Sequence, residues 1–311
     1  MERIARDRVS RTARQRIITY ANCNQCTLST QRDYLGVEND MLMKVNSHLE
    51  GGCFSTSSTC GVVSGGCQSL ALRHMEDLRQ GNPRKMAAFH SLLKEYTRWF
   101  ELTFGSTICR ERTGCKLDTL SGMNMYLFGG RLMRCLIHAG PAARFLAYLE
   151  DRPLGEEDPG EVTELNHCSM EVLRRLRENT GAGDEFFETL YIAMNGGIGL
   201  AGGLCGAAAA GFVPIGWRYG LDPEVIGAMG NAAGFFRGHV NIYGKRDRDE
   251  LFSLGHQFIR AWLAEFGSLN CRDLTGTSFY GYRDFAPYVR DAEICRRVKE
   301  FAVAKTTELL R

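Results

Sequence analysis

Two stretches of the chain each deliver a cysteine to the start of a segment built of very small residues. They run from Gly51 to Gly65 and from Asn195 to Gly211. In both, a Gly- or Ser-rich turn leads into Cys60-Gly61 or Cys205-Gly206. Residues without bulk let two backbones, or a backbone and an inorganic group, come close together. A thiolate at a helix N-terminus is stabilised by the free N–H groups and by the positive end of the dipole, which favours anionic or metal-bound sulfur. The competing reading is that Gly and Ala mark only tight helix packing, with the cysteines acting as small buried apolar groups.

Repetition favours the chemical reading. Phe104-Gly105-Ser106 through Cys109-Arg110, with Thr113-Gly114, recurs as Phe266-Gly267-Ser268 through Cys271-Arg272, with Thr275-Gly276, at an offset of 162. Gly51-Gly52, Cys60-Gly61 and Arg73 recur at an offset of 145 as Gly196-Gly197, Cys205-Gly206 and Arg218. Asn24-Gln25-Cys26 matches Asn166-His167-Cys168 at 142, and Cys135 matches Cys295 at 160. Each half thus carries four cysteines in the same order. Cys23, Cys53, Cys67 and Cys115 fall opposite Leu165, Ile198, Phe212 and Thr277 and belong to the first half alone. A duplicated architecture follows. The acidic, Pro- and Gly-bearing stretch from Asp151 to Gly160 reads as the linker, so the expected domains are 1–152 and 153–311.

The elements that position these cysteines read as helices. Met86, Phe89, Leu92, Leu93, Tyr96, Phe100 and Phe104 recur at helical spacing, and so do Leu251, Leu254, Phe258, Trp262 and Phe266, ahead of Gly267 as a C-terminal cap. Further helices are expected over 126–149, 184–194, 222–237 and 287–310, with Pro223 and Pro287 at helix starts. Alternating strand patterns are nearly absent. The expectation is an all-α protein of two similar helical lobes related by an approximate two-fold axis. A chain of 311 residues with 44% hydrophobic residues buries a substantial core, and a net charge of +2 argues against a dedicated nucleic-acid binder. There is no run of 18 apolar residues and no secretory signal, so no membrane insertion and a cytoplasmic location are expected. Thiols stay reduced there, and 12 cysteines are too few for a disulfide scaffold.

On these residues the chain resembles the family of redox-active proteins named for the pattern C, GCAxxG, C, C. Each half looks like one copy. The resemblance is carried by Asn24-Gln25-Cys26, Cys60-Gly61-Val62-Val63-Ser64-Gly65, Cys109 and Cys135, and by Asn166-His167-Cys168, Cys205-Gly206-Ala207, Cys271 and Cys295. Both halves read Cys-Gly where the name reads Gly-Cys, Val62 replaces the Ala and Ala210 the second Gly. A related module in split-Soret cytochromes is associated with an iron–sulfur cluster. The resemblance therefore implies iron and sulfide held by Cys26, Cys60, Cys109 and Cys135 in one lobe and by Cys168, Cys205, Cys271 and Cys295 in the other, with Gly61 and Gly206 lining the cofactor. Four thiolates suffice for a 2Fe–2S or 4Fe–4S cluster. Cys23, Cys53, Cys67 and Cys115 could extend the first site to a larger or second cluster, or form a reactive thiol pair. Covalent haem is not expected, because Cys23-Asn24-Gln25-Cys26 is followed by Thr27 and not His.

Other candidates are weaker. Of His48, His74, His90, His138, His167, His239 and His256, none shows metal-ligand spacing, and only His167 stands beside a repeated cysteine. Gly196 to Gly206 lacks the Lys-Ser/Thr ending of a phosphate loop. Arg110 and Arg272 follow repeated cysteines and could offset cluster charge. The function expected is electron transfer or reductive catalysis with a redox partner protein or small-molecule electron acceptor, and self-association as a homodimer stays open. Two alternatives remain: a metal-free thiol–disulfide protein, or a zinc-bound structural one, against which stands the lack of close Cys pairs in the second half.

Overall fold

The computed structural model describes residues 3–162, 165–244 and 249–311. The first lobe runs through α1 (Val9–Tyr20), α2 (Cys23–Leu35), α3 (Leu42–Val45), α4 (Gly61–Arg73), α5 (Met75–Arg79), α6 (Pro83–Phe104), α7 (Cys109–Thr113), α8 (Leu120–Phe128) and α9 (Leu132–Glu150). The second contains α10 (Cys168–Thr180), α11 (Glu185–Leu190), α12 (Gly206–Gly211), α13 (Val213–Tyr219), α14 (Pro223–Gly244), α15 (Glu250–Phe266), α16 (Cys271–Thr275), α17 (Tyr282–Asp291) and α18 (Glu293–Leu309). Among the described residues there is no β-strand, and no helix is long and apolar enough to cross a membrane. The fold is all-α.

Local chemistry sets several boundaries. Asn22 caps α2 by accepting the Gln25 N–H at 3.0 Å, and Asn82 precedes Pro83 at the start of α6. Gly105 and Gly267 end α6 and α15 in the left-handed conformation. The predicted face of α6 is buried from Met86 to Phe100, and Leu251, Phe258 and Trp262 of α15 are buried likewise. Two long predicted helices are broken in two. Gly129 and Gly130 separate α8 from α9, and Ala292 separates α17 from α18, so Pro287 sits inside α17 and not at a helix start.

The duplication is exact in its hydrogen bonds. Cys60 N–H donates to Thr107 O and Cys205 N–H to Leu269 O, both at 2.8 Å; Cys109 N–H donates to Ser58 O and Cys271 N–H to Gly203 O, both at 2.6 Å. The isolated bridges Thr59–Ile108 and Leu204–Asn270 are equivalent as well. The lobes share one core across their interface. Phe54, in the turn before Cys60, lies fully buried among Phe212, Phe252 and His256 of the second half. In return, Thr97 Oγ1 and Lys94 Nζ donate to Gly199 O and Leu200 O, at 3.2 and 2.9 Å, in the equivalent turn of the second half.

One element breaks the symmetry. The step in offset from 145 to 162 between Arg218 and Phe266 is an insertion, and in space it is α14. This helix packs on α1 of the first lobe, and Asn231 Nδ2 donates to Thr19 O at 2.9 Å. The second repeat thereby covers a site belonging to the first.

Candidate functional site

In each lobe, four cysteines converge through the same parts. Cys23 and Cys168 are the first residues of α2 and α10; Cys60 and Cys205 precede α4 and α12; Cys109 and Cys271 open α7 and α16; Cys135 and Cys295 lie near the starts of α9 and α18. Cys23, Cys60, Cys109 and Cys135 line one cavity of about 220 Å³, and Cys168, Cys205, Cys271 and Cys295 line another of about 20 Å³. Because α2, α4 and α10 each present an N-terminus there, their free N–H groups favour negative sulfur at these points.

The turn that delivers Cys60 is strained. Cys53, Phe54, Ser55 and Ser57 have positive φ, as have the equivalent Ile198 and Leu200, with Gly199 and Gly202 at the other two positions. Side-chain-bearing residues rarely adopt this conformation, and each costs about 1–3 kcal/mol. The same path recurs in both halves with different residues, so the position of the cysteine, not local preference, dictates it.

Gly61 and Gly206 have a definite role. A Cβ on Gly61 would stand 2.3 Å from Cys23 Sγ, and one on Gly206 would stand 2.6 Å from Cys168 Sγ. Each glycine seats the first sulfur of its own set, and neither lines the cavity wall. This contact corrects the sequence register. Cys23, not Cys26, is the counterpart of Cys168, and the match at 145 runs without a gap from Cys23 to Arg73. Cys26 faces away, its thiol donating to Ala13 O of α1 at 3.0 Å.

The other first-half cysteines divide. Cys53 and Cys67 are buried in the core shared by the lobes and line neither cavity. Cys115 packs against Cys109, Leu117 and Met123 just outside the first set. All twelve thiols are free.

Burial dominates the electrostatics. It pushes the Cys23 and Cys109 thiols well above their ordinary value, and the neighbouring thiols push them further. Against this act the Gly51 N–H at Cys23 and the Arg112 guanidinium at Cys109. In the second lobe burial raises Cys168 and Cys271 and brings Cys295 to about 12. At these positions burial favours the protonated thiol, and a bound cation would take the place of the protons.

Three groups on the first cavity were not singled out by the sequence reading. Arg112 Nη1 donates to Cys60 Sγ at 2.5 Å. Tyr126 Oη donates to Cys135 Sγ at 3.4 Å. Glu50 is buried beside Cys23's helix start, bonded to Ser55 Oγ at 2.9 Å, and burial raises its carboxyl to about 7. The comparison Cys109-Arg110-Glu111-Arg112 with Cys271-Arg272-Asp273-Leu274 held the signal for Arg112. Arg110 and Arg272, the arginines considered from sequence, are exposed. None of the seven histidines lines either cavity; His167 is held by Asn195 Nδ2 at 2.8 Å.

Among the described residues, no three His, Cys, Asp or Glu side chains converge on a point that would hold a single metal ion. The first set stands around a volume instead. The family model described as "Putative redox-active protein (C_GCAxxG_C_C)" matches the chain twice, over residues 21–147 and 166–309. The chain belongs to this family. It is a two-repeat member, and both matches contain a complete four-cysteine set. No curated protein and no solved structure gives a match.

Proposed function

We propose that the protein binds iron–sulfur clusters, one set of ligands being Cys23, Cys60, Cys109 and Cys135 and the other Cys168, Cys205, Cys271 and Cys295, and that it serves electron transfer or reductive catalysis. The observation carrying this reading is the recurrence, in both lobes, of four thiols from equivalent helix starts around one cavity. Thiolate sulfur is the donor that iron–sulfur clusters take, and four per site is their number. Thiols spaced around 220 Å³ suit a group of several atoms better than one ion. In the second lobe the thiols close on a smaller space. A cysteine reaches its sulfur through one rotatable bond, so rotation about χ1 is the movement that would widen it.

When bound, such a group accepts and releases single electrons. The chain's own contribution at the first set is to hold four sulfurs in a largely apolar pocket, to place helix N-termini at two of them, Cys23 and Cys60, and to hydrogen-bond two. Arg112 bonds Cys60 and Tyr126 bonds Cys135. Charge-assisted and hydroxyl donors to ligand sulfur favour the more negative form of the site.

The test is protein purified without oxygen, its iron and acid-labile sulfide quantified and its visible and paramagnetic resonance spectra recorded. A brown protein with iron and sulfide in matching amounts is expected. A colourless, iron-free protein with titratable thiols would turn the reading to dithiol chemistry, and bound zinc would turn it to a structural site.

A further inference from the structure

The two thiol sets differ in charge. Arg112 is 4% exposed and touches Cys60 Sγ, while the residue at its equivalent position, Leu274, lines the second cavity. Arg112 meets no carboxylate in these contacts. Its other terminal nitrogen bonds His138 Nδ1, which burial and the nearby arginines keep neutral, and its guanidinium lies 4.9 Å over the Phe100 ring. Lys299, the basic group that acts on Cys168 and Cys295 of the second set, is ion-paired with Glu171. Glu50, the other ionisable residue on the first cavity apart from the thiols and Tyr126, turns its carboxyl to Ser55.

The sets are also joined back to back. Thr59 Oγ1 accepts the Leu204 N–H at 2.8 Å, and these two residues immediately precede Cys60 and Cys205. Beside this bond, Ser58 Oγ donates to Asn270 Oδ1 at 2.6 Å, Ser58 O accepts from Cys109 N–H, and Asn270 precedes Cys271. Thr59 and Leu204 are buried, so this route between the sets is dry and hydrogen-bonded.

We propose that the two sites form a directed pair, in which one electron passes from the group held in the second lobe to the group held in the first across the Thr59–Leu204 junction, with Arg112 setting the direction. This rests on the cluster reading above. The second site is oxidised by one electron and the first reduced by one; no bond or proton moves. An uncompensated guanidinium on a ligand sulfur favours the more negative, reduced state, and the second site has a leucine there.

The experiment is a mediated redox titration followed by paramagnetic resonance on the full chain, with each lobe's signal assigned from a Cys60→Ala/Cys109→Ala and a Cys205→Ala/Cys271→Ala variant. In the wild type the first electron resides on the first lobe. Arg112→Leu lowers the first-lobe to second-lobe occupancy ratio by about tenfold, which is 59 mV for one electron. Arg112→Lys, which keeps the charge, preserves the order, Leu274→Arg moves the second-lobe wave upward, and Glu50→Gln leaves the order unchanged. A first electron on the second lobe, or waves unmoved by Arg112→Leu in a protein that still binds iron, overturns the direction while leaving the cluster reading intact. Iron in the first lobe alone overturns the pair, and absence of iron from the wild type overturns both.

Discussion

Adding one methyl group at Gly61 tests the seating of the first sulfur. The Cβ of Gly61→Ala would lie 2.3 Å from Cys23 Sγ, 2.8 Å from Asn24 N and 3.0 Å from Leu49 O. Two of these three neighbours are backbone and cannot turn aside. Overpacking of this kind costs about 1–3 kcal/mol, and the backbone contacts place it in the upper part of that range. Alanine regains at most about 1 kcal/mol of helix propensity over glycine, and less at the first residue of α4. The net expectation is a loss of about 2 kcal/mol, or a fall of about 3 °C in the melting midpoint of the iron-free protein. Gly206→Ala should behave alike, since its Cβ would meet Cys168 Sγ at 2.6 Å and Met194 O at 2.7 Å. Gly155→Ala, in a loop with open space around it, serves as the control and should be neutral or stabilising by under about 1 kcal/mol. The assay is thermal unfolding followed by circular dichroism under reducing conditions. If Gly61→Ala melts with the control, Cys23 sulfur does not rest on Gly61 and the corrected register is wrong.

Other consequences are open to direct measurement. Phe54→Ala empties a fully buried site between the halves and should cost about 3–5 kcal/mol in urea unfolding; a loss under about 1 kcal/mol would mean that the turn is not anchored in the second lobe. Cys53→Ala with Cys67→Ala should leave iron content and spectrum unchanged, because neither residue lines a cavity; a lower iron content would enlarge the site. Glu150 is buried, and burial raises its carboxyl to about 8 from 4.5. The unfolded chain therefore releases this proton at lower pH than the folded one, so Glu150's contribution is fully present below about pH 4.5 and is lost as pH rises to about 8. Glu150→Gln should flatten that decline in a series of urea midpoints between pH 5 and 8, and an unchanged slope would contradict the burial of an uncharged carboxyl.

The helices, the duplication, all four cysteines of the second set and three of the first were legible because they depend on local periodicity and on repeated short motifs. The fourth member of the first set was not. Asn24-Gln25-Cys26 matches Asn166-His167-Cys168 as a triplet, but Cys23 and Cys26 are one turn apart on α2 and only packing tells them apart. The first abuts Gly61, and the second turns to the Ala13 carbonyl. Arg112 and Glu50 were missed for a similar reason. Their importance comes from lying on the cavity while their equivalents, Leu274 and Asn195, differ in charge, and a search for likeness between repeats passes over such positions. The 17-residue insertion was visible as a step in offset, but that α14 covers the other repeat's site follows only from the three-dimensional path.

The register of the first site is tested most directly by iron and acid-labile sulfide per chain in Cys23→Ala and Cys26→Ala, each purified without oxygen beside the wild type. Cys23→Ala should lose the iron and sulfide belonging to the first lobe, and Cys26→Ala should keep the wild-type amounts. Full loading of Cys23→Ala with depletion of Cys26→Ala would contradict the ligand set.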